Sequence, residues 1–194
     1  MTAKPADAMR ASQPTFIDIL LDETGSMSSC HGATVSGFNR FIAEQRELGG
    51  DCYLTLTKFD QNGLRTPYEN LRLEAVPDLS FFPGSMTNLY DVVGGRVTEV
   101  LRQPRQGRSL VVVITDGGEN CSRTFRTSES VKAVVSEALS RGVSFIYFGA
   151  GPGAEKQALE MGFPENVVTV FDTREMGKAM ATVSANVKAF RANA

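Results

Sequence analysis

Phe16-Ile17-Asp18-Ile19-Leu20-Leu21-Asp22-Glu23-Thr24-Gly25-Ser26-Met27 is the stretch that decides how the rest of the chain is read. Its first half, Phe16 to Leu21, is a near-continuous apolar run, as expected of a central strand covered on both faces. Asp18 interrupts that run. It is read as a hydrogen-bonded or solvated carboxylate near the strand's start, not as a functional group. The second half places Asp22, Thr24 and Ser26 at alternate positions at the strand's end, with Gly25 to let the backbone turn sharply. Three oxygen side chains can then point into one small volume, and such ligands suit a hard cation such as Mg²⁺ or Mn²⁺. Two similar points occur downstream: Thr87, in Gly84-Ser85-Met86-Thr87-Asn88, and Asp116, in Ile114-Thr115-Asp116-Gly117-Gly118. Asp22, Thr24, Ser26, Thr87 and Asp116 are the candidate metal ligands.

Outward from the motif, strand and helix patterns alternate. Val35, Phe38, Phe41, Ile42 and Leu48 recur at helical spacing, and Gly49-Gly50 stops that helix. Cys52 to Phe59 alternates as a strand. Asn62-Gly63 is a turn signal, and a weaker strand pair or edge strand follows between Leu64 and Val76, kept from the sheet centre by Pro67. Pro77 to Met86 is loop. Leu89, Val92, Val93, Val97, Val100 and Leu101 share a helix face, and Gly94-Gly95 within it signals close packing against a neighbour. Pro104 ends that segment, and Leu110 to Ile114 is the strongest strand of the chain. A helix through Val131, Val134, Val135, Ala138 and Leu139 ends at Gly142, followed by a strand from Val143 to Phe148. Gly149 to Gly153 is loop, Ala154 to Met161 a short helix and Val167 to Phe171 the last strand. Asp172-Thr173-Arg174-Glu175 resembles a capping box before a helix lined by Met176, Met180, Val183, Val187 and Phe190. Such alternation implies a parallel sheet with helices on both faces, whose ligands bind beyond the carboxyl ends of the strands where the strand order reverses.

At 194 residues, one domain is the default, with residues 1–14 as a flexible arm and 15–194 as the domain. A formal net charge of −2 supplies no basic field for nucleic acid. No apolar run is long enough to span a bilayer, and Met1 to Thr15 lacks the apolar segment of a secretory signal. The three cysteines, Cys30, Cys52 and Cys121, are widely spaced, which argues against a disulfide framework or a thiolate zinc site. Cys30 and Cys121 lie just after the site segments and are read as free thiols on or near loops. A cytoplasmic location is the resulting expectation.

Taken singly, each site residue has an ordinary explanation. Asp, Thr and Ser favour helix N-caps, Thr87 could cap the helix it opens, and Asp116-Gly117 could be a turn. Their joint occurrence, in this order and on these elements, resembles the metal-ion-dependent adhesion site of the von Willebrand factor type A domain family. That family carries Asp-x-Ser-x-Ser after its first strand, a Thr at the start of a later helix and an Asp after a central strand. Here these positions are Asp22, Thr24, Ser26, Thr87 and Asp116, with Thr24 in place of the usual Ser. The wording Leu-Asp-Glu-Thr-Gly-Ser-Met, with Asp-Gly-Gly-Glu-Asn-Cys-Ser downstream, is closest to the stand-alone bacterial and phage members.

The resemblance implies a doubly wound, Rossmann-like α/β domain: a mostly parallel six-stranded sheet, one antiparallel edge strand, and strands one and four adjacent. It also implies a bound Mg²⁺, with Mn²⁺ or Ca²⁺ as alternatives. The expected partner is a protein presenting an Asp or Glu carboxylate to the metal. Two other classes stay open. A hydrolase of the haloacid dehalogenase type also places a metal-binding Asp after a first parallel strand, but wants a second Asp where this chain has Thr24. A metal-free scaffold would keep the fold with a vestigial site. The only histidine, His31, is read as a solvated residue at a helix entry.

Overall fold

The computed structural model describes residues 13–60, 63–84, 86–103 and 105–192. Most of the expected N-terminal arm, Asn62 of the turn signal and Pro104 lie outside these residues. β1 (Thr15–Asp22) leads through a short 3-10 turn, Gly25–Cys30, into α1 (His31–Glu47). β2 (Cys52–Asp60) and β3 (Gly63–Arg72) follow, then a long irregular connection and α2 (Leu89–Arg102). β4 (Arg108–Thr115), α3 (Ser128–Ser140), β5 (Ser144–Ala150) and α4 (Ala154–Glu160) precede β6 (Val168–Phe171) and α5 (Met176–Ala192).

The strands form one six-stranded sheet in the order β3-β2-β1-β4-β5-β6. All pairings are parallel except β2 with β3, which is antiparallel and irregular in register around Leu56. Pro67 lies in this edge strand, where a missing N–H need not break a ladder. Chain order reverses between β1 and β4, so a crevice opens beyond their carboxyl ends.

Period-two alternation divides the core into two layers. Ile17, Ile19 and Leu21 of β1 point with Val112 and Ile114 of β4 toward α1 and α5, where Phe38, Phe41, Met180, Val183 and Val187 are buried. Leu20, Val111 and Val113 face the other way, against Val92, Val93 and Val97 of α2 and Val131 and Val135 of α3. Asp18 and Asp22 share the face of Leu20, which puts both on the α2 side. Asp18 is buried and doubly paired: Oδ1 meets Arg96 at 2.6 Å, and Oδ2 meets Arg105. It is thus a hydrogen-bonded structural carboxylate.

Some expectations need correction. Leu48 falls just past α1 and is exposed, because Gly49 takes a left-handed φ of 62° and turns the chain away. The three cysteines are free; Cys30, at the end of the 3-10 turn, and Cys52, the first residue of β2, are buried in the core. Of the glycine pair in α2, only Gly94 is tightly packed: a Cβ there would come within 2.5 Å of the Phe125 ring, whereas one at Gly95 would meet nothing closer than 4.0 Å. Asp172 caps the 3-10 turn Thr173–Glu175 ahead of α5 by accepting from Arg174 N. Among the described residues, no helix is long and apolar enough to cross a membrane.

Candidate metal centre

The crevice at the β1–β4 reversal gathers all five residues singled out in the sequence. Asp22 is the last residue of β1, and its buried side chain is gripped on both oxygens. Thr24 N donates to Oδ1 at 2.8 Å, and Thr115 Oγ1 donates to Oδ2 at 2.6 Å. Thr24 is extended, at φ −82° and ψ 170°, and the 3-10 turn begins at Gly25. Gly25 is not among the glycines with positive φ, so the sharp turn comes from the 3-10 geometry and not from left-handed backbone. That turn folds the Ser26 hydroxyl back to 3.2 Å from Thr24 Oγ1, and Ser26 Oγ donates to Asp116 Oδ1 at 2.6 Å.

Thr87 enters from the other side. A Cβ built on Gly117 would lie 2.7 Å from Thr87 Oγ1 and 3.5 Å from Asp22 Oδ2. Any larger residue at 117 would fill the space that Thr87, Asp22 and the Asp116 loop share. Thr115 completes the support: its hydroxyl also meets Gly117 O and accepts from Gly117 N, both at 3.1 Å. The sequence reading missed Thr115, although its position at the strand end beside Asp116-Gly117 was a usable signal.

Burial sets the electrostatics. The Asp22 carboxyl is pushed up from 3.8 to about 6 by desolvation, opposed by hydrogen bonds from Thr115 and Thr24 and reinforced by the charge of Asp116. Asp116 is also raised by burial, with the Ser26 hydrogen bond opposing. No Lys or Arg pairs with either acid among the described residues. Two acids whose charged forms are disfavoured by burial and three hydroxyls on facing loops form an all-oxygen set short of positive charge, which fits a hard divalent cation.

The neighbouring acids are occupied elsewhere. Glu23 is buried, with Oε1 held by Lys58 Nζ at 2.9 Å and Phe82 N at 2.6 Å, and Oε2 by Arg65 at 2.5 Å. Glu119 accepts from Tyr90 N, Cys121 N, Ser122 N and Ser122 Oγ. Neither is left to close the site. His31 keeps an exposed ring but is not merely solvated: Nε2 lies 2.9 Å from Phe81 O, and the ring packs on Phe81. Ser26 is exposed, so the site has an open mouth. Ser26, Ser29 and Asp116 form one wall of a cleft of about 660 Å³, with Ala150-Gly151-Pro152 and Val170 to Thr173 opposite.

No family model and no curated protein matches the chain. Solved structures do. Proximal thread matrix protein 1 from the mussel byssus, in a structure with a zinc-occupied MIDAS motif, superposes with a TM-score of 0.64 at 16% identity over 90% of this chain and 48% of that one. Pilus adhesin SpaC from Lactobacillus rhamnosus GG, in its open conformation, gives a TM-score of 0.71 at 11% identity, covering 91% of this chain and 30% of the adhesin. VWA2, the ArnB paralog from Sulfolobus acidocaldarius, gives 0.61 at 15% identity, covering 87% and 44%. The chain therefore spans half or less of the length of the solved structures it matches.

Proposed function

We propose that this chain, whose fold is that of the von Willebrand factor type A domain, is a divalent-metal-dependent protein-binding module that captures a partner's carboxylate. The convergence of Asp22, Thr24, Ser26, Thr87 and Asp116 on one open crevice carries this reading, and the zinc-occupied MIDAS motif of the mussel protein supports it. The five side chains would hold the cation, with Mg²⁺ as the ion that suits an all-oxygen set. Bound there, the ion would supply a positive centre able to attract an outside oxygen.

The rest follows from the residues. Three of the five donors are neutral hydroxyls that offset none of the cation's charge, so it would stay electrophilic toward an incoming carboxylate. Thr115 and Thr24 N hold Asp22 to a single orientation, so little ordering is needed on binding. The cleft beside Ser26 and Asp116 gives the partner segment access.

A hydrolase of the haloacid dehalogenase type has less support. Thr24 supplies a hydroxyl where that chemistry wants a carboxylate, and the nearby cations Lys58 and Arg65 are committed to Glu23 and Asp60. No turnover of p-nitrophenyl phosphate with Mg²⁺ is expected.

The direct test is thermal. A metal that binds the folded site, and not the scattered ligands of the unfolded chain, adds about 2.7 kcal/mol at one hundred times its dissociation constant. For a chain of this length that is a rise in Tm of roughly 5–11 °C. Melting curves in excess Mg²⁺ and in EDTA that superimpose would remove the proposal.

A further inference from the structure

Among the described residues, no regular element of its own segment places Thr87. Between the helical turn Leu73–Ala75 and α2, the described residues form no strand or helix. Asn88 stands at the N-cap of α2 without a side-chain capping bond, and its buried Oδ1 has no partner. The contacts that fix Thr87 come from the chain beyond Asp116. Thr87 N donates to Asn120 Oδ1 at 3.0 Å, and Asn120 N donates back to Thr87 O at 3.1 Å. These two bonds bracket the Thr87 backbone on both sides.

The bracket is itself anchored. Glu119 ties Tyr90 N, in the first turn of α2, to Cys121 N and Ser122. Asp91 accepts from Arg123 N, Thr124 N and Phe125 N at 2.7–2.8 Å. Carboxylates from both sides thus lace residues 119–125 to the start of α2, and Asn120 is the member of that lacing that reaches the site.

We propose that Asn120 is a positioning residue for the metal centre: it sets the Thr87 hydroxyl against Asp22 and the Asp116 loop. The proposal rests on the metal-binding reading above. Asn120 acts through Thr87 and not on the cation, which makes its effect conditional. Removing Asn120 matters while Thr87 can ligate, and matters no further once the Thr87 hydroxyl is gone.

A double-mutant cycle tests this, with Mg²⁺ alone as the probe in calorimetric titration. Thr87→Val and Asn120→Ala should each weaken binding, Asn120→Ala by about 10–100-fold, the range for a group that supports a ligand. The double variant should bind no more weakly than Thr87→Val, because the two losses share one route. Asn120→Asp, which keeps an oxygen acceptor for Thr87 N, should bind close to wild type, and it decides the matter if the other losses exceed the range of titration. Equal affinity in wild type and Asn120→Ala overturns the proposal. So do losses that multiply in the double variant, or a loss in Asn120→Asp as large as in Asn120→Ala. A wild type that binds no Mg²⁺ fails at an earlier point, since it refutes the metal reading itself.

Discussion

Asp22→Asn is expected to abolish divalent-cation binding and, in the metal-free protein, to raise stability at neutral pH. The two effects have one cause. Asp22 carries its charge where water cannot reach it, which lifts its carboxyl from 3.8 to about 6. The folded state therefore holds this proton more tightly than the unfolded state. The resulting stabilisation is full below about pH 4 and is lost as pH rises to about 6. A rise of that size corresponds to about 3 kcal/mol. Asparagine does not ionise, yet it can accept from Thr24 N and donate to Thr115 Oγ1, whose hydroxyl is free to turn. In EDTA the variant should melt several degrees above wild type at pH 7.5, and the gap should close at pH 4. Wild type matching the variant at pH 7.5 would show that no buried charge waits there for a counterion.

The largest loss of stability is expected from Asp18→Ala. Asp18 sits mid-strand in β1, paired in register with Thr55 of β2 and Val111 of β4, and is buried. It is the buried counter-charge for both Arg96 and Arg105, whose side chains are 4% and 7% exposed. Arg96 retains Glu69 and Glu99 at its outer edge, whereas among the described residues the side chain of Arg105 keeps the face of Phe16. Removing one partner of a buried pair leaves an uncompensated charge and costs about 3–5 kcal/mol. That corresponds to a fall in Tm of roughly 6–20 °C for a chain of this length. Metal affinity should change little, because Asp18 lies two repeats of the pleat below Asp22 on β1. A loss under about 1 kcal/mol in chemical denaturation would mean that the cluster relaxes into water.

Both cases show what a sequence can and cannot say. β1 and β4 were legible because each is covered on both faces and reads as an apolar run, broken in β1 only by Asp18, and their adjacency put Asp22 beside Asp116. The five oxygen residues were legible as a set, since strand ends and a helix start are where such side chains can converge. The supports were not. Glu23, Lys58 and Asp60 are charged residues that a sequence reader assigns to the surface, yet all three are buried beside the site. Their partners come from β3 and the Ser80–Phe82 loop, and no local pattern announces pairings over such separations. Asn120 likewise means little until the fold sets it against Thr87. Leu48 went wrong for a local reason: the helical period was extended past the point where Gly49 redirects the chain.

Calorimetric titration of wild type and Asp22→Asn with Mg²⁺, at pH 7.5 and after removal of metal by chelation, tests the central claim most directly. Wild type should bind one equivalent, with an affinity that weakens as pH falls below about 6, where protons compete for Asp22. Asp22→Asn should show no binding while keeping the circular dichroism of the folded domain. Equal affinity in the two proteins, or no heat of binding in wild type, would contradict the assignment of this crevice as a metal centre.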